Sequence, residues 1–257
     1  MSTLLYTEHA PPPDLASVVA CTWVTRGGAG ESSPGPIIPD ACSDIVVVGD
    51  WAPHIAGPAT RTHVAPAGSD VRVVGIRFRP GATRVAFGCD ASELLDAEAE
   101  LRAVCGNSVH ALADELSRAP SPDAARAALE QWARARLARD PYRDVRALAA
   151  ANALVSGRVR NVRELGDAFG WSARRVHREL TATCGYGPKT LQRIVRMQRV
   201  VRRARTAPRT LSALALDAGY ADQAHMTRDF RDLTGFTPRA LLARSSADVG
   251  RWLDGDA

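Results

Sequence analysis

One stretch of sequence occurs twice in the C-terminal part of this chain. Leu165-Gly166-Asp167-Ala168-Phe169-Gly170-Trp171 is echoed by Leu214-Ala215-Leu216-Asp217-Ala218-Gly219-Tyr220, 49 residues on. Past the turn the offset becomes 50: Val176 matches Met226, Arg178 matches Arg228, Leu180 matches Phe230, Gly185 matches Gly235 and Pro188 matches Pro238. Each copy reads as a short helix, a glycine-aromatic turn and a second helix. A glycine after the last residue of a helical pattern supplies the left-handed turn that ends the helix.

In the first copy the supporting helix is predicted over Val162–Phe169, with Ser172 as N-cap of the next helix. Val176 and Leu180, spaced i and i+4, then face the core. Arg174, Arg175, His177 and Arg178 lie mostly outward. In the second copy Met226 and Phe230 take the core positions, and Gln223, Ala224, Thr227 and Arg228 point outward. Arginine can grip guanine O6 and N7 or a phosphate, glutamine suits adenine, and threonine and alanine suit a thymine methyl. These eight residues are the candidate DNA contacts. Arg175 is as well suited to a phosphate as to a base. One helix-turn-helix pattern is weak evidence; a tandem pair points to two recognition helices in successive major grooves.

Between the copies, Lys189–Arg205 reads as a single helix with Leu191, Ile194, Val195, Gln198 and Val201 on its inward stripe. Its arginines at 193, 196, 199, 202 and 203 are either phosphate contacts or a solvated face. Charge is distributed unevenly along the chain. Residues 141–245 hold 20 Lys/Arg and 8 Asp/Glu, a net of +12, whereas the rest holds 13 and 20, a net of −7. A basic half beside an acidic half is the electrostatic footprint expected of a nucleic-acid binder.

This half resembles the AraC/XylS family of bacterial transcription regulators. The resemblance rests on Gly219-Tyr220-Ala221-Asp222-Gln223-Ala224-His225-Met226-Thr227-Arg228-Asp229-Phe230, on Thr234-Gly235-Phe236-Thr237-Pro238, and on Arg175–Leu180 with Gly185-Tyr186-Gly187-Pro188. It implies seven helices, two helix-turn-helix motifs joined by a long helix, and promoter DNA as partner. Ala221 stands where that family usually has a small capping hydroxyl. Such regulators can also take RNA polymerase, a small-molecule effector or a second copy of themselves as partners.

Residues 1–107 read as β-rich, with strands expected near Val18–Thr25, Asp44–Gly49, Thr62–Pro66 and Val71–Phe78, punctuated by glycine-proline turns. The expected fold class is α+β in two domains: a β-rich barrel or sandwich, of which a cupin-like barrel is one form, then an all-α domain. The expected divisions are a sensor domain over 1–107, a helical linker over 108–140, the DNA-binding domain over 141–245 and a tail over 246–257. The pieces Ile38–Val47 and Val73–Ala82 resemble a β-rich domain of undetermined role found ahead of AraC-type domains, which implies effector sensing or dimerisation. Asp40, Asp44, Arg77 and Arg79 are its candidate ligand-binding residues, and Trp23 and Trp51 either pack or line a cavity.

Rival functions find little support. His54, His63, Cys42, Asp40 and Asp44 are possible metal ligands, but no His-x-His occurs, so neither metal nor other cofactor is expected. There is no GxSxG elbow, P-loop or HExxH. A cysteine-dependent DNA-alkylation repair protein is the alternative; it would need clustered cysteines, whereas Cys21, Cys42, Cys89, Cys105 and Cys184 are scattered. No apolar run is long enough for a membrane span and no signal peptide is read. The expectation is a cytoplasmic, non-catalytic regulator.

Overall fold

Alternating apolar residues build the N-terminal half into a sheet with two unlike faces. The computed structural model describes residues 5–26, 36–49, 52–64, 73–139, 144–206 and 209–244. Its strands are β1 (Leu5–His9), β2 (Val19–Arg26), β3 (Pro36–Ile37), β4 (Ser43–Val48), β5 (His54–Ala56), β6 (His63–Val64), β7 (Val73–Phe78) and β8 (Glu98–Glu100). Six form one antiparallel sheet in the order β1-β2-β7-β4-β5-β8, and β3 pairs with β6. The expected barrel does not close: among the described residues β1 and β8 remain separate edges. Trp51 lies outside the described residues.

One face carries Val24, Val74, Ile76, Phe78, Ile45, Val47 and Ile55, all buried. It is covered by α1 (Thr83–Phe87), α2 (Leu101–Cys105), α3 (His110–Arg118) and α4 (Pro122–Arg139). Val109, Leu112, Leu116, Ala125, Leu129 and Ala133 join its core. The helices expected to form a linker over 108–140 thus pack onto the sheet. They complete the N-terminal body, because a sheet with one bare apolar face needs a second layer.

The opposite face holds polar residues in register. Cys21 pairs with Arg77 and Asp44 with Arg77, while Trp23 sits opposite Gly75. Arg77 grips Asp44 through Nε and Nη2, each at 3.0 Å, and the Trp23 indole N–H donates to Asp44 Oδ2 at 3.0 Å. Gly75 is required by this arrangement. A Cβ there would come within 2.3 Å of the Trp23 ring, so the strand interior must be bare where the indole crosses it.

The C-terminal half comprises α5 (Val145–Ser156), α6 (Val162–Phe169), α7 (Ala173–Cys184), α8 (Pro188–Thr206), α9 (Leu211–Ala218), α10 (Gln223–Thr234) and α11 (Pro238–Leu242). Its apolar cluster takes in two residues from the other half, Ile38 and Ala41, and Leu148 of α5 is shared in the opposite direction. Gln198, buried on α8, donates from Nε2 to the Pro39 carbonyl at 2.7 Å, and Arg84 pairs with Asp144 at 3.1 Å. The two halves therefore share a packed and hydrogen-bonded junction.

Gly75→Ala should lower stability by about 1–3 kcal/mol, the usual cost of overpacking. Urea unfolding followed by tryptophan fluorescence would measure it; an unchanged midpoint would show that the indole can move aside.

Candidate nucleic-acid interface

The tandem units form as the repeat requires, with one instructive exception. α6 spans Val162–Phe169 as expected and ends on Gly170 at φ 63°. Ser172 caps α7 by accepting from the Arg175 amide at 3.3 Å. In the second unit α9 ends on Gly219 at φ 89°, but the cap of α10 is Asp222, which accepts from the His225 amide at 2.6 Å. Ala221 is thus an additional residue in this turn, and the missing hydroxyl is replaced by the carboxylate after it. The change of offset from 49 to 50 falls here.

The core sides of both recognition helices are as read from the pattern: Val176, Leu180, Met226 and Phe230 are fully buried. On the outward sides Arg174, Arg175, His177, Arg178, Gln223, Ala224 and Arg228 are exposed, and Thr227 is half-buried. Their local bonds differ. Arg175 lies over the Trp171 ring at 5.0 Å, and Arg178 reaches its neighbour Glu179 at 2.9 Å. Gln223 Oε1 accepts from Ser212 Oγ at 2.9 Å, and the Thr227 hydroxyl donates to the Gln223 carbonyl at 2.8 Å. Arg174 and Arg228 make no hydrogen bond or ion pair with another described residue. Among the eight candidate contacts they are the two arginines with a whole guanidinium to offer an incoming group.

Four of the α8 arginines do different work from the candidate contacts. Arg193 Nε donates to Asp229 at 2.8 Å and its Nη2 reaches Asp232 at 2.9 Å, while Arg196 Nη2 reaches the other Asp229 oxygen at 3.3 Å. Arg196 also lies over the Tyr220 ring at 5.1 Å. Arg203 donates to the Asp217 carbonyl, and Arg199 to that of Val155. These four tie the rod to the helices around it. Asp229 is the centre of the set: it is buried on α10 and two arginines of α8 converge on it. The signal for it was the lone acid between outward Arg228 and core Phe230, a position on the edge of the buried stripe.

The N-terminal candidates divide. Arg77 and Asp44 are buried together, with Asp40 3.7 Å and Glu8 3.9 Å from the guanidinium. Burial pushes the Asp40 carboxyl above its ordinary range, partly offset by Arg77. The group is an ionic cluster of three carboxylates about one guanidinium. Arg79 stands apart, with its Nε donating to the Ala16 carbonyl at 2.7 Å. Among the described residues no three His, Cys, Asp or Glu side chains are gathered as metal ligands, and no helix is long and apolar enough to cross a membrane.

Two helix-turn-helix units held by a common rod define a DNA-binding protein class. Comparison with known protein families agrees. Residues 165–244, which span both units, match the family model of a helix-turn-helix domain, and residues 7–100 match that of a domain of unknown function. The helix-turn-helix domain so matched is of AraC type and lies behind that N-terminal domain. No curated protein matches the sequence. Among solved structures it is similar to unsaturated fatty acid bound wild-type ToxT from Vibrio cholerae strain SCE256, with 9% identity, 98% of this chain and 100% of that chain covered, and a TM-score of 0.46. It is similar too to ToxT from Vibrio cholerae O395, with 10% identity, 93% and 96% covered, and a TM-score of 0.43.

Asp229→Ala should destabilise the protein by about 3 kcal/mol, because it strands two partly buried guanidinium groups. Asp232→Ala, at an exposed partner, should cost about 0.5 kcal/mol. Chemical denaturation of both variants checks the contrast; equal losses would remove the special place of Asp229.

Proposed function

We propose that this protein is a sequence-specific transcription regulator that sets α7 and α10 into successive major grooves of promoter DNA. The outward residues at 174, 175, 177, 178, 223, 224, 227 and 228 supply the contacts, and the N-terminal domain adjusts activity through an effector or by pairing protomers. The observation that carries this reading is the division of arginines within one domain. Arg193, Arg196, Arg199 and Arg203 on α8 are tied into protein carbonyls and carboxylates, whereas Arg174 and Arg228 stand exposed on the outward faces of the two recognition helices.

Cysteine-dependent repair is disfavoured by the thiols themselves. Nucleophilic attack needs thiolate. Burial pushes Cys184 up to about 12 and Cys89 up to about 11, and raises Cys21, Cys42 and Cys105 as well.

Selection of randomised duplexes with the full chain should recover a preferred sequence, and failure to enrich any would defeat the reading. On the recovered duplex, Arg228→Ala and Arg174→Ala should each cost about 1–3 kcal/mol and relax base preference at one position. Equal losses on random DNA would mark them as phosphate contacts. Affinity should also fall steeply and linearly in a log-log titration against salt, since bound arginines release counterions.

A further inference from the structure

The two units differ in how they treat the first residue of the recognition helix. In the second unit that residue is Gln223, exposed at the start of α10, and the hydroxyl of Ser212 on α9 donates to its Oε1 at 2.9 Å. Thr227 bonds the main-chain carbonyl of Gln223 and so leaves the side-chain amide untouched. Among the described residues Ser212 is therefore the one that hydrogen-bonds the amide. Subtracting the repeat offsets of 49 and 50 from Ser212 and Gln223 gives Arg163 and Ala173 in the first unit. Ala173 has no amide to orient, and Arg163 has no hydroxyl to orient it. The serine and the glutamine occur together in one unit and are both missing from the other.

The place of this bond decides which end of the amide faces α9. Thr210 caps α9 and Asp222 caps α10, so Ser212 is the second residue of its helix and Gln223 the first of its own. First-turn N–H groups and the positive ends of two helices thus lie beside the Ser212–Gln223 contact. An amide oxygen is favoured there over an NH2 group. With Oε1 turned to Ser212, Nε2 stands on the other side of the planar amide with both hydrogens unused. Oε1 keeps a second lone pair, because a carboxamide oxygen accepts twice.

An amide held in this sense separates adenine from guanine. Both purines offer N7 as an acceptor in the major groove; beside it adenine carries the N6 amino donor and guanine the O6 acceptor. A glutamine whose amide turns over freely serves either base, with Oε1 toward the adenine amino group or Nε2 toward guanine O6. A glutamine fixed with Oε1 toward that position serves adenine alone, since guanine would set O6 against Oε1. Fixing it also lowers the cost of binding, because a long exposed side chain gives up rotamer freedom when it is ordered. We infer that Ser212 is a positioning residue of the second reader: it holds the Gln223 amide in the sense that selects adenine over guanine. The inference rests on the DNA-reading function proposed above.

Variants of the full chain, measured on the duplex recovered by selection, test it. Gln223→Ala first marks the base pair at which preference is relaxed. At that pair the unmodified chain should hold adenine over guanine by roughly tenfold, and Ser212→Ala should cut the ratio about fivefold, both within the range of a bidentate contact. Ser212→Thr keeps the hydroxyl and should retain the ratio. In the Gln223→Ala background, Ser212→Ala should change nothing further. Ser212 is exposed, so the fold and the preferences at other base pairs should stay as they are. A ratio unmoved by Ser212→Ala, or moved as much in the Gln223→Ala background, overturns the inference and leaves DNA reading intact. So does a Gln223→Ala profile with no relaxed position, another base preferred at that pair, or a loss spread evenly over every pair. If the unmodified chain enriches no duplex, both readings fail.

Discussion

The Asp229 carboxylate fixes what the C-terminal half can present. A rod helix alone sets how far apart two units sit but not how they are rotated about it. Asp229 supplies that second constraint by engaging Arg193 and Arg196, one helical turn apart on α8, through its two oxygens. A buried carboxylate with two directed partners is costly to strand and geometrically selective, which suits it to setting an angle. Tyr220, the aromatic of the second turn, receives Arg196 on its ring, so the same guanidinium links the turn and the recognition helix to the rod. In the first unit Trp171 is similarly flanked, with Arg175 at 5.0 Å and Arg146 at 5.7 Å.

The helical half was legible in the sequence because its signals are local. Glycines at positive φ, capping side chains and an i, i+4 stripe each act within a few residues, and Val162–Phe169 and the Ser172 cap follow from them directly. The inward stripe of α8 was equally readable. What could not be read was where each arginine goes, since partner choice depends on chain segments far away in sequence. Arg193 finds Asp229, 36 residues on, and Arg199 finds the carbonyl of Val155, 44 residues back.

In the β-rich half, the strong strands β2, β4 and β7 were visible from β-branched alternation, while β1, β3, β5 and β8 were not. The latter are short or carry His, Glu and Pro, and are held by pairing more than by propensity. Arg77 shows the same limit. Alternation placed Ile76 and Phe78 opposite it, as found, but only the register β4–β7 shows that Asp44 is its cross-strand partner. The pairing joins the two in a buried ion pair.

The extra residue in the second turn gives the tandem a direction. Insertion of Ala221 changes the lead-in to α10 relative to that of α7, and the outward residues of the two helices are unlike as well. Neither unit can stand in for the other after a simple shift along the rod. Read by two unlike helices in the manner proposed, a duplex would have a head and a tail, and turning it end for end would present each half-site to the wrong helix.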